Sequence, residues 1–169
     1  MAILCCSGSV RADSSNLKLL QTIASSFDTY HFDYFDLSRL PLFLPALDHS
    51  PWPAEVLAWR EAVAEASAVL ITTPAYLQNL PALVKNALEW LVTSGELRGK
   101  AVLPVTFCPH PPRGAEAMQA MIWSLQALDA RIVGQLPLYQ NEMQTTTEGY
   151  ELDEELHLLL AAALEELVS

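Results

Sequence analysis

Positive charge is scarce in this sequence. Nine Lys and Arg stand against 20 Asp and Glu, giving a formal net charge of −11 over 169 residues. A chain this acidic repels nucleic-acid phosphates and anionic lipid surfaces, which excludes a general nucleic-acid or membrane-face role. The shortage is greatest at the end. No Lys or Arg follows Arg131, whereas Glu142, Glu148, Glu151, Asp153, Glu154, Glu155, Glu165 and Glu166 do, so an anionic ligand must be held locally in the first two-thirds. Long apolar runs are missing too. Segment 156–164 (LHLLLAAAL) is interrupted by His157 and flanked by glutamates, short of the roughly 20 apolar residues of a membrane span.

Cysteine is sparse. Cys5, Cys6 and Cys108 are odd in number and lack CxxC spacing, which suits reduced thiols rather than a disulfide framework or a zinc site. The start, MAILCCSGSVR, has no basic n-region, so a cytoplasmic location is expected. His31, His49, His110 and His157 are scattered without metal-ligand spacing, and no metal site is assigned. There is neither a Walker A loop nor a GxGxxG, which argues against nucleotide hydrolysis and a Rossmann dehydrogenase.

What is present is 51% hydrophobic residues, arranged as alternating strands and helices. Apolar runs at 2–6, 68–72, 101–107 and 131–136, with an alternating 30–36, read as five strands. Helical spacing follows from Ser14, near 53–66, after Pro81, at 114–128, and along Leu152, Leu156, Leu159, Leu160, Ala163, Leu164 and Leu167. This order implies an α/β three-layer sandwich: a five-stranded parallel sheet with helices on both faces, one domain over 1–169. Adjacent Cys5 and Cys6 then face opposite sides of the first strand and pack as small apolar residues. Ligands in such sheets bind beyond the carboxyl ends of the strands, which directs attention to loops 7–14, 73–81 and 107–114.

The first of these loops runs Gly8-Ser9-Val10-Arg11-Ala12-Asp13-Ser14-Ser15-Asn16 between strand and helix. Free N–H groups and the positive end of the helix dipole face it, Ser9, Ser14, Ser15 and Asn16 offer hydrogen bonds, and Arg11 offers a guanidinium. These are phosphate-binding features. The plainer alternative is a helix capped by Asp13 or Ser14 with Arg11 in solvent. The second loop carries Thr73-Pro74-Ala75-Tyr76-Leu77 and continues through Pro81 into Lys85-Asn86-Ala87 and Trp90. Alone, it reads as a proline-bounded turn with a core tyrosine.

Taken together, GSVRxxSxN after the first strand and TPxYxxxxPxxxKNAxxWL after the third resemble the NADPH-dependent FMN reductase family, whose fold is flavodoxin-like. The likeness extends over nearly the whole chain, with DLSRLPLF (Asp36 to Phe43) included. It implies that Ser9, Arg11, Ser14, Ser15 and Asn16 hold the FMN phosphate. It also implies that Pro74, Ala75, Tyr76 and Leu77 lie along the isoalloxazine ring, where the family has Pro-Glu-Tyr-Asn. Ala75 and Leu77 depart from that turn, and Asn79 and Ala82 replace a Ser and a Gly. In the third loop three prolines stand where the family often has glycines. Arg113 faces either a flavin oxygen or the extra phosphate of NADPH, or lies in solvent.

The resemblance implies an NAD(P)H-dependent flavoprotein oxidoreductase: hydride passes from NADPH to flavin N5 and on to a small-molecule acceptor such as free flavin, a quinone, an azo dye or a metal oxyanion. The protein's share is then binding and orientation, with no catalytic side chain assigned. Two readings from other classes stand beside it: a flavin-binding electron carrier, which lacks here the Thr-rich loop of flavodoxins, and a flavin-less interaction protein of the same fold. A homodimer or homotetramer is expected from the apolar content, with Trp90 and Trp123 as interface candidates or, in the plainer alternative, core residues. Arg11→Ala is expected to raise the FMN dissociation constant about ten- to a hundredfold and to spare riboflavin, which has no phosphate.

Overall fold

The computed structural model describes residues 2–11 and 13–169. One sheet contains strands β1 (Ala2–Ser7), β2 (His31–Phe35), β3 (Ala68–Thr73), β4 (Ala101–Cys108), β5 (Arg131–Ile132) and β6 (Leu136–Tyr139). Every pairing is parallel, in the order β2-β1-β3-β4-β5, with β6 also pairing β4. The chain moves from β1 outward to β2 and then returns to the other side at β3. That reversal is the switch point of a doubly wound sheet, where loops diverge and open a crevice.

Helices α1 (Ser15–Ser26) and α5 (Glu154–Val168) cover one face; α2 (Ala54–Glu65), α3 (Ala82–Glu89) and α4 (Ala115–Ala127) cover the other. The sheet is buried between them because its central strands are apolar throughout: every residue of β3 and β4 is buried. On one side Ile3, Cys5, Leu70 and Phe107 pack against Leu19, Leu20 and Ile23 of α1 and Leu160, Leu164 and Leu167 of α5. On the other, Leu4, Cys6, Val69 and Ile71 meet Val56, Trp59 and Val63 of α2, Val84 and Leu88 of α3, and Met121 and Leu125 of α4. The two adjacent cysteines do face opposite cores, as the period of a strand requires.

The sheet has the five strand positions expected, with the edge one, read as a single strand at 131–136, broken into β5 and β6 along β4. Val133 N donates to Val102 O at 3.1 Å, so the alternation of a strand turns the backbone of Pro104 toward the same edge. Proline has no N–H to offer there. Beyond the Val133 bond the edge strand leaves the ladder at 134–135 and rejoins at Val105↔Leu136.

Trp90 is not an interface residue. It has no exposed surface, and its indole Nε1 donates to the Pro41 carbonyl at 2.8 Å. Asn86 Nδ2 donates to the same carbonyl at 3.0 Å, and Asn86 Oδ1 accepts from Phe43 N at 2.7 Å. These contacts tie the proline-rich loop to α3, which gives the Asn-Ala-x-x-Trp part of the second motif a structural role. Trp123, by contrast, is 64% exposed on α4.

Candidate functional site

Loops at the carboxyl ends of β1, β3 and β4 enclose a cleft of about 320 Å³. Gly8 sets its edge. Gly8 N continues the ladder to Thr72 O at 2.7 Å, and a Cβ there would stand 2.5 Å from Thr73 Oγ1 and 2.7 Å from Val84 Cγ2. A glycine is required for this close approach of the backbone to β3. The chain then turns, with Ser14 N donating to Arg11 O at 3.0 Å, and α1 begins.

Ser14 occupies the N-cap position of α1 in an extended conformation, yet its hydroxyl makes no capping bond. Its Oγ is buried without a partner, as is Oδ1 of Asn16. Buried polar atoms are normally satisfied, so two such atoms beside a cleft at a helix start mark a place built for hydrogen-bonding to something else. Ser15 is engaged differently, accepting from Gln140 Nε2 at 3.1 Å. Burial pushes the nearby Tyr150 phenol above its usual range, with Ser15 opposing in part.

The cleft brings Ser9, Arg11, Ser14, Ser15 and Asn16 of the first loop together with Pro74, Ala75 and Tyr76 of the second and Arg113 of the third. Leu77 is the exception. It lies outside the cleft with its side chain 98% exposed, lining an adjoining cavity of about 440 Å³ that shares Arg113. The reason is the turn. Tyr76 and Asn79 exchange backbone bonds at 3.1 and 2.9 Å around Leu77 (φ 51°) and Gln78 (φ 59°), a two-residue turn with both central residues left-handed. Such a turn projects its central side chains outward, and Leu77-Gln78 carries none of the glycine or asparagine that announces it in a sequence.

Arg11 does not extend freely: its Nε and Nη2 donate to Asp13 Oδ1 and Oδ2 at 3.2 and 3.0 Å. Asn16 Nδ2 donates to the Phe107 carbonyl at 3.3 Å, which leaves Oδ1 as the unengaged atom of its amide. Gln140 was missed. It follows β6 directly, and its position at a strand's carboxyl end becomes legible only once that strand is placed at Leu136–Tyr139.

Cys108 sits under the third loop, where Gly114 has φ 106° and a Cβ on it would stand 2.9 Å from Cys108 Sγ. Burial pushes this thiol above the ordinary value, with an Ala75 backbone hydrogen bond and Arg113 opposing in part. A thiol held neutral and covered is not a nucleophile or redox centre. Among the described residues no group of three His, Cys, Asp or Glu is placed to hold a metal. No helix described is long and apolar enough to cross a membrane.

The NADPH-dependent FMN reductase family model matches residues 1–142. The chain belongs to that family. Among its relatives, a 2-hydroxy-1,4-benzoquinone reductase of Burkholderia sp is 38% identical over 84 residues, 49% of this chain and 45% of that protein. An NADH:(hydroxy)cinnamate reductase subunit of Vibrio ruber is 34% identical over 109 residues, 63% of this chain and 53% of the relative. The chain thus spans about half the length of the curated relatives it matches. In three dimensions the family member superposes on FerB, a flavoenzyme NAD(P)H:(acceptor) oxidoreductase of Paracoccus denitrificans, with TM-score 0.86 and 21% identity, covering 98% of this chain and 96% of FerB. At that identity the likeness shows a shared flavodoxin-like fold.

Proposed function

We propose that this family member binds FMN in the cleft between the first and second loops and reduces a small conjugated acceptor at the expense of NADPH. The observation that carries the reading is the pair of buried, unpartnered acceptor or donor atoms, Ser14 Oγ and Asn16 Oδ1, at the start of α1 within the cleft. They fit a ligand rich in hydrogen-bonding groups, and the helix dipole favours an anionic end there. Bound FMN supplies hydride acceptance and release, chemistry no side chain of the cleft can perform. The chain's own residues bind and orient. Ser9, Ser14 and Ser15 hold the phosphate end with the first-turn N–H groups of α1, Asn16 Oδ1 accepts from a hydroxyl of the ligand, Pro74, Ala75 and Tyr76 hold the ring end, and Arg113 reaches both cavities.

The adjoining cavity beside Leu77, Gln78, His110 and Pro112 suits a small flat second substrate next to the ring end. Quinones fit its size and its mixed lining, Leu77 and Pro112 for a ring and Gln78, His110 and Arg113 for carbonyl oxygens, in keeping with the hydroxyquinone named for the Burkholderia relative. The protein works as a homodimer or dimer of dimers, supported by Trp123 and Val92, exposed to 64% and 60%.

Fluorescence titration with FMN and riboflavin, followed by anaerobic mixing with NADPH and then with 2-hydroxy-1,4-benzoquinone, tests the reading. Saturable quenching, bleaching of the oxidised flavin band and its return on adding the quinone are expected. Absence of saturable quenching overturns flavin binding; an unbleached band overturns the reductase activity. Light scattering at micromolar concentration is expected to give at least a dimer mass, and a monomer mass overturns the assembly.

A further inference from the structure

The first loop holds an anion of its own. Arg11 grips Asp13 through two roughly parallel bonds, Nε to Oδ1 and Nη2 to Oδ2, the fork with which a guanidinium otherwise takes a phosphate. Both residues line the cleft in which Ser14 Oγ and Asn16 Oδ1 lie buried and unpartnered. The loop therefore has polar groups waiting for a ligand while its strongest anion receptor is already occupied by a carboxylate two residues away.

We propose that Asp13 is a built-in competitor for the phosphate seat at Arg11, so that Arg11 adds little to the preference of the cleft for a phosphorylated over an unphosphorylated flavin. The choice of flavin as ligand rests on the function proposed above; the competition itself rests on the loop geometry.

A phosphate entering the fork must displace the Asp13 carboxylate. The exposed pair, with side chains 70% and 68% accessible, is screened by water and yields readily. The displaced carboxylate nevertheless remains in the same short loop, facing a dianion across a few ångströms. Exposed and next to the guanidinium, the displaced Asp13 carboxylate stays ionised at neutral pH. What Arg11 gains from the phosphate it thus loses from Asp13, and repulsion remains. Arg113 is the other cation lining the cleft, and it is turned toward the Ala75 carbonyl at 3.4 Å.

The test compares the full chain with Asp13→Asn, Arg11→Ala and the double variant, using FMN and riboflavin by fluorescence quenching and inorganic phosphate by calorimetry. Asp13→Asn is expected to tighten FMN about tenfold and to leave riboflavin within about twofold, the size of one charge-assisted hydrogen bond to the phosphate. Arg11→Ala is expected to cost only about threefold in the parent and about tenfold more than that after Asp13→Asn, because only then is the fork free. Additive effects, or an equal gain for riboflavin, overturn the proposal. If no variant binds either flavin but Asp13→Asn gains inorganic phosphate, the flavin reading falls and the competition stands. If neither gain appears while both flavins still bind, the competition falls and the flavin reading stands; if no flavin binds either, both fall. Asp13→Ala, judged by the melting temperature of the ligand-free protein, serves as a second neutral variant with the same expected result.

Discussion

Asn16 Nδ2 donates to the Phe107 carbonyl at 3.3 Å and joins the start of α1 to the carboxyl end of β4. Thr72 Oγ1 donates to the Asn16 carbonyl at 3.2 Å, so β3 is joined at the same residue. The three strand ends that frame the cleft are held to one another through a single buried asparagine. Its exposed alternative, a side chain aimed at the ligand, would leave those ends unlinked.

Asn16→Ala removes the donor and strands a buried carbonyl, a loss of about 1–3 kcal/mol. In a domain of this size that corresponds to a melting temperature about 2–12 °C lower. Asn16→Asp is expected to be worse, since a carboxylate oxygen would then face the Phe107 carbonyl. Thermal unfolding of the ligand-free variants checks this, and an unchanged melting temperature for Asn16→Ala would show the bond to be idle.

Gly8→Ala places a methyl group against Thr73 Oγ1 and Val84 Cγ2 at 2.5 and 2.7 Å. One of β3, α3 or the first loop must give way, at a cost of about 1–3 kcal/mol. Because the same contact positions the loop, flavin affinity is expected to fall together with the melting temperature. Val84→Ala in the Gly8→Ala background makes room and is expected to restore part of the affinity. Denaturant melts and FMN titration of the two variants decide it.

Arg60 and Glu96 form a largely covered ion pair at 2.8 Å, and the guanidinium also stacks 4.0 Å from the Trp52 ring. Arg60 Nη1 and Glu96 Oε2 are buried without partners. Removing one partner leaves an uncompensated charge, so Glu96→Ala is expected to cost about 3 kcal/mol. Replacing both, Arg60→Met with Glu96→Leu, is expected to recover most of that loss. Chemical denaturation of the single and double variants measures the difference.

The thiols give the protein an alkaline limit. Burial pushes Cys5 up to about 12 from 9.0, with Asp33 adding to it, and pushes Cys6 well above the ordinary value. The unfolded chain loses these protons first as pH rises, so the stability they contribute is complete below pH 9.0 and declines toward about 12. Tyr34, pushed up to about 12 by burial and then by Cys5, adds to the same decline. Denaturant midpoints are expected to hold between pH 7 and 9 and then fall. At pH 8 a thiol reagent is expected to find none of the three cysteines in the folded protein and all of them after denaturation; rapid labelling of the folded protein would contradict this burial.

Much was readable from the sequence because it is written in short-range patterns. Apolar runs of strand length, helical spacing between them and a small-residue loop after β1 depend on neighbours in the chain, so the α/β order and the loops at the strand ends follow directly. Nine of the ten expected binding residues share one cleft for the same reason: each sits just past a strand's carboxyl end, where parallel crossovers gather loops. Trp90, Gln140, Leu77 and the fork of Arg11 with Asp13 were not readable in this way. Trp90 is defined by a carbonyl at Pro41, Gln140 by a hydroxyl at Ser15, and Leu77 by a left-handed turn that its residue types do not advertise. The break before β6 arises because Pro104, on the neighbouring strand, has no N–H to present. Each of these depends on which groups meet through space and in what orientation, and only the packed sheet and its loops decide that.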